Sequence, residues 1–145
     1  MIQSLILILI VAYLLLCLSF YFFQHKFFFR PEKLHDSFKY KYPFPFEELD
    51  FEMEDGGQIN ALYFKVPNSR GVVYYLKGNS RSIKGWGKFA KDFLGNGYDF
   101  IIMDYRGFGK SKGKRTQEKI FGDAQFLYKW LEEKYPENKI ILYGR

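Results

Sequence analysis

The sequence predicts an α/β fold in which an antiparallel hairpin leads into parallel strands with flanking helices, preceded by one transmembrane helix. Three observations carry this. Beyond residue 48 the patterns run hairpin, strand, helix, strand, helix, strand, the alternation that builds a sheet covered by helices. The later strands are apolar runs rather than half-polar ones, as in a sheet buried on both faces. Finally, no charged residue lies between Ile2 and Phe23. As helix that stretch spans about 33 Å, enough for a hydrocarbon core of about 30 Å.

The apolar stretch is interrupted only by Gln3, Ser4, Ser19 and two tyrosines, Tyr13 and Tyr21. Tyr21, Phe22, Phe23 and Phe27–Phe29 suit an interfacial aromatic belt. A cleaved signal peptide would carry a basic residue ahead of a shorter apolar run, with a small-residue cleavage site after it; none of these is present. An uncleaved, single-pass anchor is therefore expected. Lys26, Arg30, Lys33, Lys39 and Lys41 follow it and no basic side chain precedes it, which places the rest of the chain on the cytoplasmic side. His25 and His35 read as polar groups at the interface.

Pro31, Pro43 and Pro45 keep the next stretch extended, so residues 30–48 read as a linker leaving the membrane. Leu49–Glu54 (LDFEME) alternates apolar and acidic residues, Asp55-Gly56-Gly57 turns the chain, and Ile59–Val66 (INALYFKV) returns it as the second strand of a hairpin. After a second turn at Pro67–Gly71, Val72–Leu76 is an unbroken apolar strand. Trp86, Phe89, Ala90, Phe93 and Leu94 have the spacing of one helical face, and Gly95-Asn96-Gly97 closes that helix. Tyr98–Asp104 is the next buried strand. Thr116 is the N-cap of a helix running to about Lys134, with Ile120, Phe121, Ala124, Leu127, Tyr128 and Leu131 on its inner face. Pro136-Glu137-Asn138 breaks it, and Lys139–Arg145 (KIILYGR) begins a last strand, apolar enough to be central in a sheet.

At 145 residues the chain holds one domain besides the anchor. Its single cysteine, Cys17, excludes a disulfide framework, and with two histidines no Cys/His metal cluster is available. No metal or other cofactor is expected. The net charge of +6 suits an acidic partner, either nucleic acid or an anionic membrane surface. Nucleic acid is set aside: Arg106-Gly107-Phe108-Gly109 begins like an RNA-recognition strand, but Lys110 stands where a stacking aromatic is needed. Gly107 and Gly109 follow a strand, yet Lys112 occupies the third glycine position of a dinucleotide fingerprint. The spacing from Gly109 to Gly113 is also one residue short of a phosphate loop. Lys110, Lys112, Lys114 and Arg115 read as a solvated loop, or as a contact with anionic lipid. Asp104 and Arg106 sit at a strand end and are expected to fix that corner by hydrogen bonds.

The chemistry centres on Val72–Ser82 (VVYYLKGNSRS), a buried strand opening into a small-residue loop. It reads as an ordinary turn, or as a loop whose backbone N–H groups face the oxyanion of an acyl-transfer intermediate. The candidates for that role are Gly78, Asn79 and Ser80.

The segments YYLKGNSRSIKGWGKFA, GYDFIIMDYRGFGKSKGKRT and KIILYGR resemble the N-terminal half of the α/β-hydrolase superfamily, in its membrane-anchored, serine-aminopeptidase-like branch. The branch pattern has an apolar helix and a step like Phe29–Leu34 (FRPEKL), an oxyanion loop, and a segment like Asp104–Ser111 (DYRGFGKS) carrying Asp104, Arg106, Gly107 and Gly109. It then has an elbow in which the position after Arg145 would be the nucleophilic serine. The resemblance covers residues 29–145 and divides the chain into an anchor (1–24), a linker (25–48) and a partial α/β-hydrolase domain (49–145). Lys77 departs from it, standing where the pattern has histidine.

The resemblance implies a serine hydrolase of ester or peptide bonds in the complete protein, working through an acyl-enzyme, with the Asn79 or Ser80 N–H as one oxyanion donor. These 145 residues are expected to be a truncated form that ends just before the nucleophile and lacks the histidine. The competing expectation is a non-enzymatic, membrane-tethered interaction module whose half-sheet pairs with another chain. The expected partners are the lipid bilayer and, for the complete enzyme, a small ester or peptide substrate.

Overall fold

The computed structural model describes residues 2–145, except for the side chains of His25, Lys26 and Phe27, so the interfacial role expected of His25 lies outside the described residues. The chain forms two compact units, residues 1–30 and residues 31–145.

The first unit is a single helix, α1 (Ile2–Phe28), whose Ile2–Gln24 portion is long and apolar enough to cross a membrane. By length and apolarity alone, a signal sequence near the N-terminus can qualify as well.

The second unit is built on five strands: β1 (Phe46–Glu52), β2 (Gln58–Phe64), β3 (Val72–Leu76), β4 (Asp99–Met103) and β5 (Ile140–Gly144). Their order in the sheet is β1-β2-β4-β3-β5. The β1–β2 and β2–β4 pairs are antiparallel, while β4–β3 and β3–β5 are parallel. The expected entry through a hairpin into a parallel sheet is therefore present.

Strand periodicity assigns the core to two faces. Leu62, Phe64, Val73, Tyr75, Phe100 and Ile102 point to one face, where Ile83, Ala90 and Leu94 cover them from α2 (Ile83–Trp86) and α3 (Ala90–Leu94). The alternate residues Ile59, Ala61, Tyr63, Val72, Tyr74, Ile101 and Met103 point to the other, under Leu127 and Leu131 of α4 (Gln117–Glu132). Each large side chain fully buried here contributes about 1.5–3 kcal/mol.

Three local details differ from the sequence-based expectation. First, β1 begins at Phe46, and Leu34, Phe38, Tyr40 and Tyr42 of the segment before it pack against the core: Tyr40 is buried and its hydroxyl donates to Asn60 Oδ1 at 2.9 Å. Second, the helix after β3 starts at Ile83 and passes through a 3-10 turn at Gly87–Phe89. A side chain at Gly87 would put its Cβ 2.5 Å from the Tyr42 hydroxyl, which donates to the Ile83 carbonyl at 2.8 Å, so the close approach of Tyr42 requires glycine there.

The third is a correction. Phe121, expected on the inner face of α4, is 62% exposed, while Asp123 is buried. The helix is turned so that Asp123 meets Arg106, whose buried guanidinium would be costly without its bidentate carboxylate. Phe121→Ala is therefore expected to change stability by no more than about 0.5 kcal/mol in urea unfolding. The N-cap is as expected, with Thr116 Oγ1 accepting from the Lys119 N–H at 3.3 Å.

Among these residues β5 lies beside β3 at one edge of the sheet, and Ile141, Leu142 and Tyr143 are 41%, 58% and 43% exposed. It is held by its ladder with β3, by Tyr143 against Tyr75 and Phe93, at 5.2 and 5.4 Å between ring centres, and by Ile140 against the face that α4 covers.

Candidate active site

The three oxyanion candidates leave the C-terminal end of β3. A Cβ on Gly78 would lie 3.2 Å from the Trp86 ring and 3.6 Å from the carbonyl oxygen of Arg145, so the end of β5 lies against this loop. The Arg145 N–H donates to the Leu76 carbonyl at 3.2 Å, continuing the β3–β5 ladder to that point. Asn79 is exposed and Ser80 half-buried, with the Ser80 carbonyl accepting the Trp86 indole N–H at 2.8 Å. Arg81, at φ 56°, turns the chain back towards α2. A cavity of about 350 Å³ opens beside the loop, lined by Ser80, Arg81, Trp86, Phe89 and Arg145 among others.

Beneath the loop, Lys77 turns inward and its side chain is fully buried. Its Nζ lies 3.5 Å from Asp104 Oδ1, donates to the Arg81 carbonyl at 3.2 Å, and sits 3.9 Å from the centre of the Phe108 ring. The Tyr105 hydroxyl donates to the Lys77 carbonyl at 2.8 Å. Lys77 thus ties both ends of the turn that carries Asn79 and Ser80 to the loop after β4. Burial lowers its pKa to about 8 against the opposing pull of Asp104, and burial raises Asp104 to about 7 against the pull of Lys77.

Asp104 does more than face Lys77. Both its oxygens accept the Ile83 N–H, at 3.0 and 3.1 Å, which starts α2. Gly109, at φ 51°, packs so tightly on the carboxylate that a Cβ would lie 1.9 Å from Oδ2, and only glycine fits. Gly109 also joins the chain ahead of the sheet: its N–H donates to the Glu32 carbonyl at 2.7 Å and its carbonyl accepts from the Leu34 N–H at 2.9 Å. Ser111 closes the loop by donating to the Asp104 carbonyl at 2.8 Å.

Arg106 points away from this turn. Its Nε and Nη2 donate to the two oxygens of Asp123, both at 2.7 Å, and Nη1 donates to Asp55 at 2.6 Å. Hydrogen bonds from Arg106 and Lys119 hold the Asp55 carboxyl well below the usual carboxylate range. Gly107, at φ 79°, makes the turn out of Arg106. The structure therefore brings Gly78, Asn79, Ser80 and Asp104 to one end of the sheet and places Arg106 in a separate clamp that fixes the same loop from its other side.

Sequence reasoning missed three contributors. Glu32 accepts from the Ser82 hydroxyl at 2.8 Å and pairs with Lys84 at 3.1 Å; burial raises its pKa, but these bonds outweigh it and the net shift is downward. Asn60, buried in β2, bonds Glu48 and Asp50 at 2.8 Å each. Asp123 is the third, and its only signal was a carboxylate at a helical position four residues from Leu127. His35, expected at the membrane interface, bonds Ser37 within a local turn, 2.7 Å from its hydroxyl.

The geometry has counterparts in known proteins. The profile of one family, described as serine aminopeptidase, S33, matches residues 67–145. Lysophosphatidylserine lipase ABHD12 of Danio rerio is 30% identical over 79 residues, 53% of this chain and 21% of that protein. YfhR of Escherichia coli is 23% identical over 71% of this chain and 39% of its own. Among solved structures, the Pyrococcus furiosus esterase Pf2001 superposes with a TM-score of 0.58 at 25% identity, covering 79% of this chain and 48% of the esterase. A soluble variant of monoglyceride lipase from Saccharomyces cerevisiae shares the fold at TM-score 0.60 and 23% identity, over 75% of this chain and 38% of that one. The chain spans less than half the length of each of these relatives.

Proposed function

Because the chain belongs to the serine aminopeptidase (S33) family of the α/β-hydrolase superfamily, we propose that residues 31–145 supply the oxyanion side of a serine hydrolase of ester or peptide bonds, tethered to a membrane by α1. The observation that carries this reading is the approach of the end of β5 to Gly78, with the carbonyl of Arg145 3.6 Å from where a Cβ would stand. A residue following Arg145 would emerge beside the Asn79 and Ser80 amides. A nucleophile and an oxyanion donor must share that neighbourhood, because one attacks the carbonyl carbon while the other receives the charge developing on its oxygen. The lipase and esterase among the similar proteins favour esters over peptides as the substrate. The length and composition of α1 support the tether, and the basic residues after it favour a cytoplasmic hydrolase unit.

In this reading the nucleophile and the histidine base lie outside these 145 residues. The chain by itself is therefore expected to remain unlabelled by a fluorophosphonate probe, which phosphonylates an activated serine. Labelling that disappears on heating would overturn the proposal that the nucleophile lies elsewhere.

The exposed β5 edge supports a second reading, a non-enzymatic tethered module that completes its sheet with another chain. DNA downstream of Arg145 separates the two readings. A serine codon followed within two residues by glycine and then a helical pattern supports the hydrolase, and a stop with unrelated sequence supports the module.

A further inference from the structure

We propose that a basic cradle on the hydrolase unit, formed by Lys39, Lys41 and Lys84 around Phe38, Tyr40 and Tyr42, seats the phosphate-bearing headgroup of an anionic lipid. These residues enclose a cavity of about 360 Å³ with no carboxylate in its lining. Its geometry follows from the alternation of an extended chain. Tyr40 turns inward to donate to Asn60, and Tyr42 turns inward to donate to the carbonyls of Ile83 and Lys84 at 2.8 and 3.1 Å. Both neighbouring lysines are exposed, and among the described residues no ion pair holds either of them. Lys84 closes the rim with its charge already paired to Glu32 at 3.1 Å, 5.4 Å from the centre of the Phe38 ring, so the charges offered to an anion are those of Lys39 and Lys41.

The glycine-rich loop, the other basic stretch of this unit, is less suited to the task. Lys110 is bound to Glu48 at 2.6 Å and Lys112 to Asp36 at 2.7 Å, so two of its charges are already neutralised within the protein. Lys39 and Lys41 also belong to the segment that directly follows the apolar helix in sequence, where basic side chains meet the negative surface of a cytoplasmic leaflet. The inward-turned Tyr40 and Tyr42 fix the segment to the sheet and leave the Lys39 and Lys41 ammonium groups outward, where they match a phosphate at the level of the headgroups.

The proposal rests on the reading of α1 as a bilayer span. The full chain is placed in phosphatidylcholine nanodiscs with and without phosphatidylserine, and lysines are footprinted with an amine-reactive reagent read by mass spectrometry. Labelling of Lys39 and Lys41 is expected to slow roughly fivefold in the phosphatidylserine discs, the factor corresponding to about 1 kcal/mol per lysine at an anionic surface, and to recover in high salt. Lys129 and Lys134 of the helix α4 region are expected to label equally in both. Incorporation into both discs with identical labelling of Lys39 and Lys41 overturns the lipid site and leaves the span intact. Failure to incorporate at all overturns the span and the site with it. Equal protection by inorganic phosphate in phosphatidylcholine discs overturns the lipid as the source of the anion.

Discussion

Replacing Asp123 with alanine is expected to destabilise the 31–145 unit by about 3–5 kcal/mol, because it strands a buried guanidinium. The Arg106 side chain is 4% exposed and that of Asp123 2%, and the pair is bidentate. Arginine cannot discard its proton to escape an apolar site, so the charge persists once its partner is gone. Asp55 cannot replace the lost carboxylate, since it binds a different nitrogen and already holds Lys119 at 2.5 Å. Trp86 and Trp130 both lie in this unit, so urea unfolding followed by tryptophan fluorescence reads it directly. With a slope of roughly 1–3 kcal/mol per molar urea, the midpoint should fall by about 2 M. Asp123→Asn keeps one acceptor and is expected to cost less. A loss below about 1 kcal/mol in the alanine variant would show that the clamp is not desolvated.

The effect of Lys77→Met is expected to depend on pH, because Asp104 can take up a proton where Arg106 cannot release one. Asp104 is raised to about 7 in the folded state, so its contribution to stability is fully present below the unfolded value of 3.8 and is lost as pH rises through about 7. Lys77 is lowered to about 8, so its contribution is present above its unfolded value of 10.5 and is lost as pH falls through about 8. Both groups are charged together between these values, and there the pair contributes least. Removing the lysine raises Asp104 further, since Lys77 is the charge that opposes its burial. At about pH 6, where Asp104 is protonated, the methionine variant should be within about 1 kcal/mol of the parent. By about pH 9 the loss should approach 3 kcal/mol, since each unit of pKa shift is worth about 1.4 kcal/mol. Lys77→Met with Asp104→Asn should remove this pH dependence, because no titrating group is then left in the pair. A loss independent of pH would mean that Lys77 acts by packing alone.

What could be read from the sequence, and what could not, follows the range of the interactions. β3 and β4 were legible nearly to the residue because each is an apolar run closed by turn residues. Thr116 was legible because a cap is a local bond. The start of α2 was not, because neither of its fixing groups is local. The Ser82 hydroxyl bonds Glu32, 50 positions away in sequence, and the Ile83 N–H is held by Asp104, 21 positions away. The orientation of α4 escaped for the same reason: spacing alone favours Phe121 inside, and only the burial of Arg106 beside the helix makes Asp123 the inward residue. In the candidate site, Gly78–Ser80 could be recognised as a small-residue loop after a buried strand. The Lys77–Asp104 pair beneath it could not, since two strands separated in sequence first have to become neighbours.

The central claim is that the end of β5 and the loop after β3 together form the nucleophile and oxyanion side of a serine hydrolase. It is tested most directly by expressing the polypeptide encoded when the reading frame is continued through Arg145, treating it with a fluorophosphonate, and mapping the adduct by peptide mass spectrometry. The predicted result is a single adduct on the residue directly after Arg145, absent from heat-denatured protein. An adduct elsewhere, or none on a folded polypeptide that extends beyond β5, would contradict it.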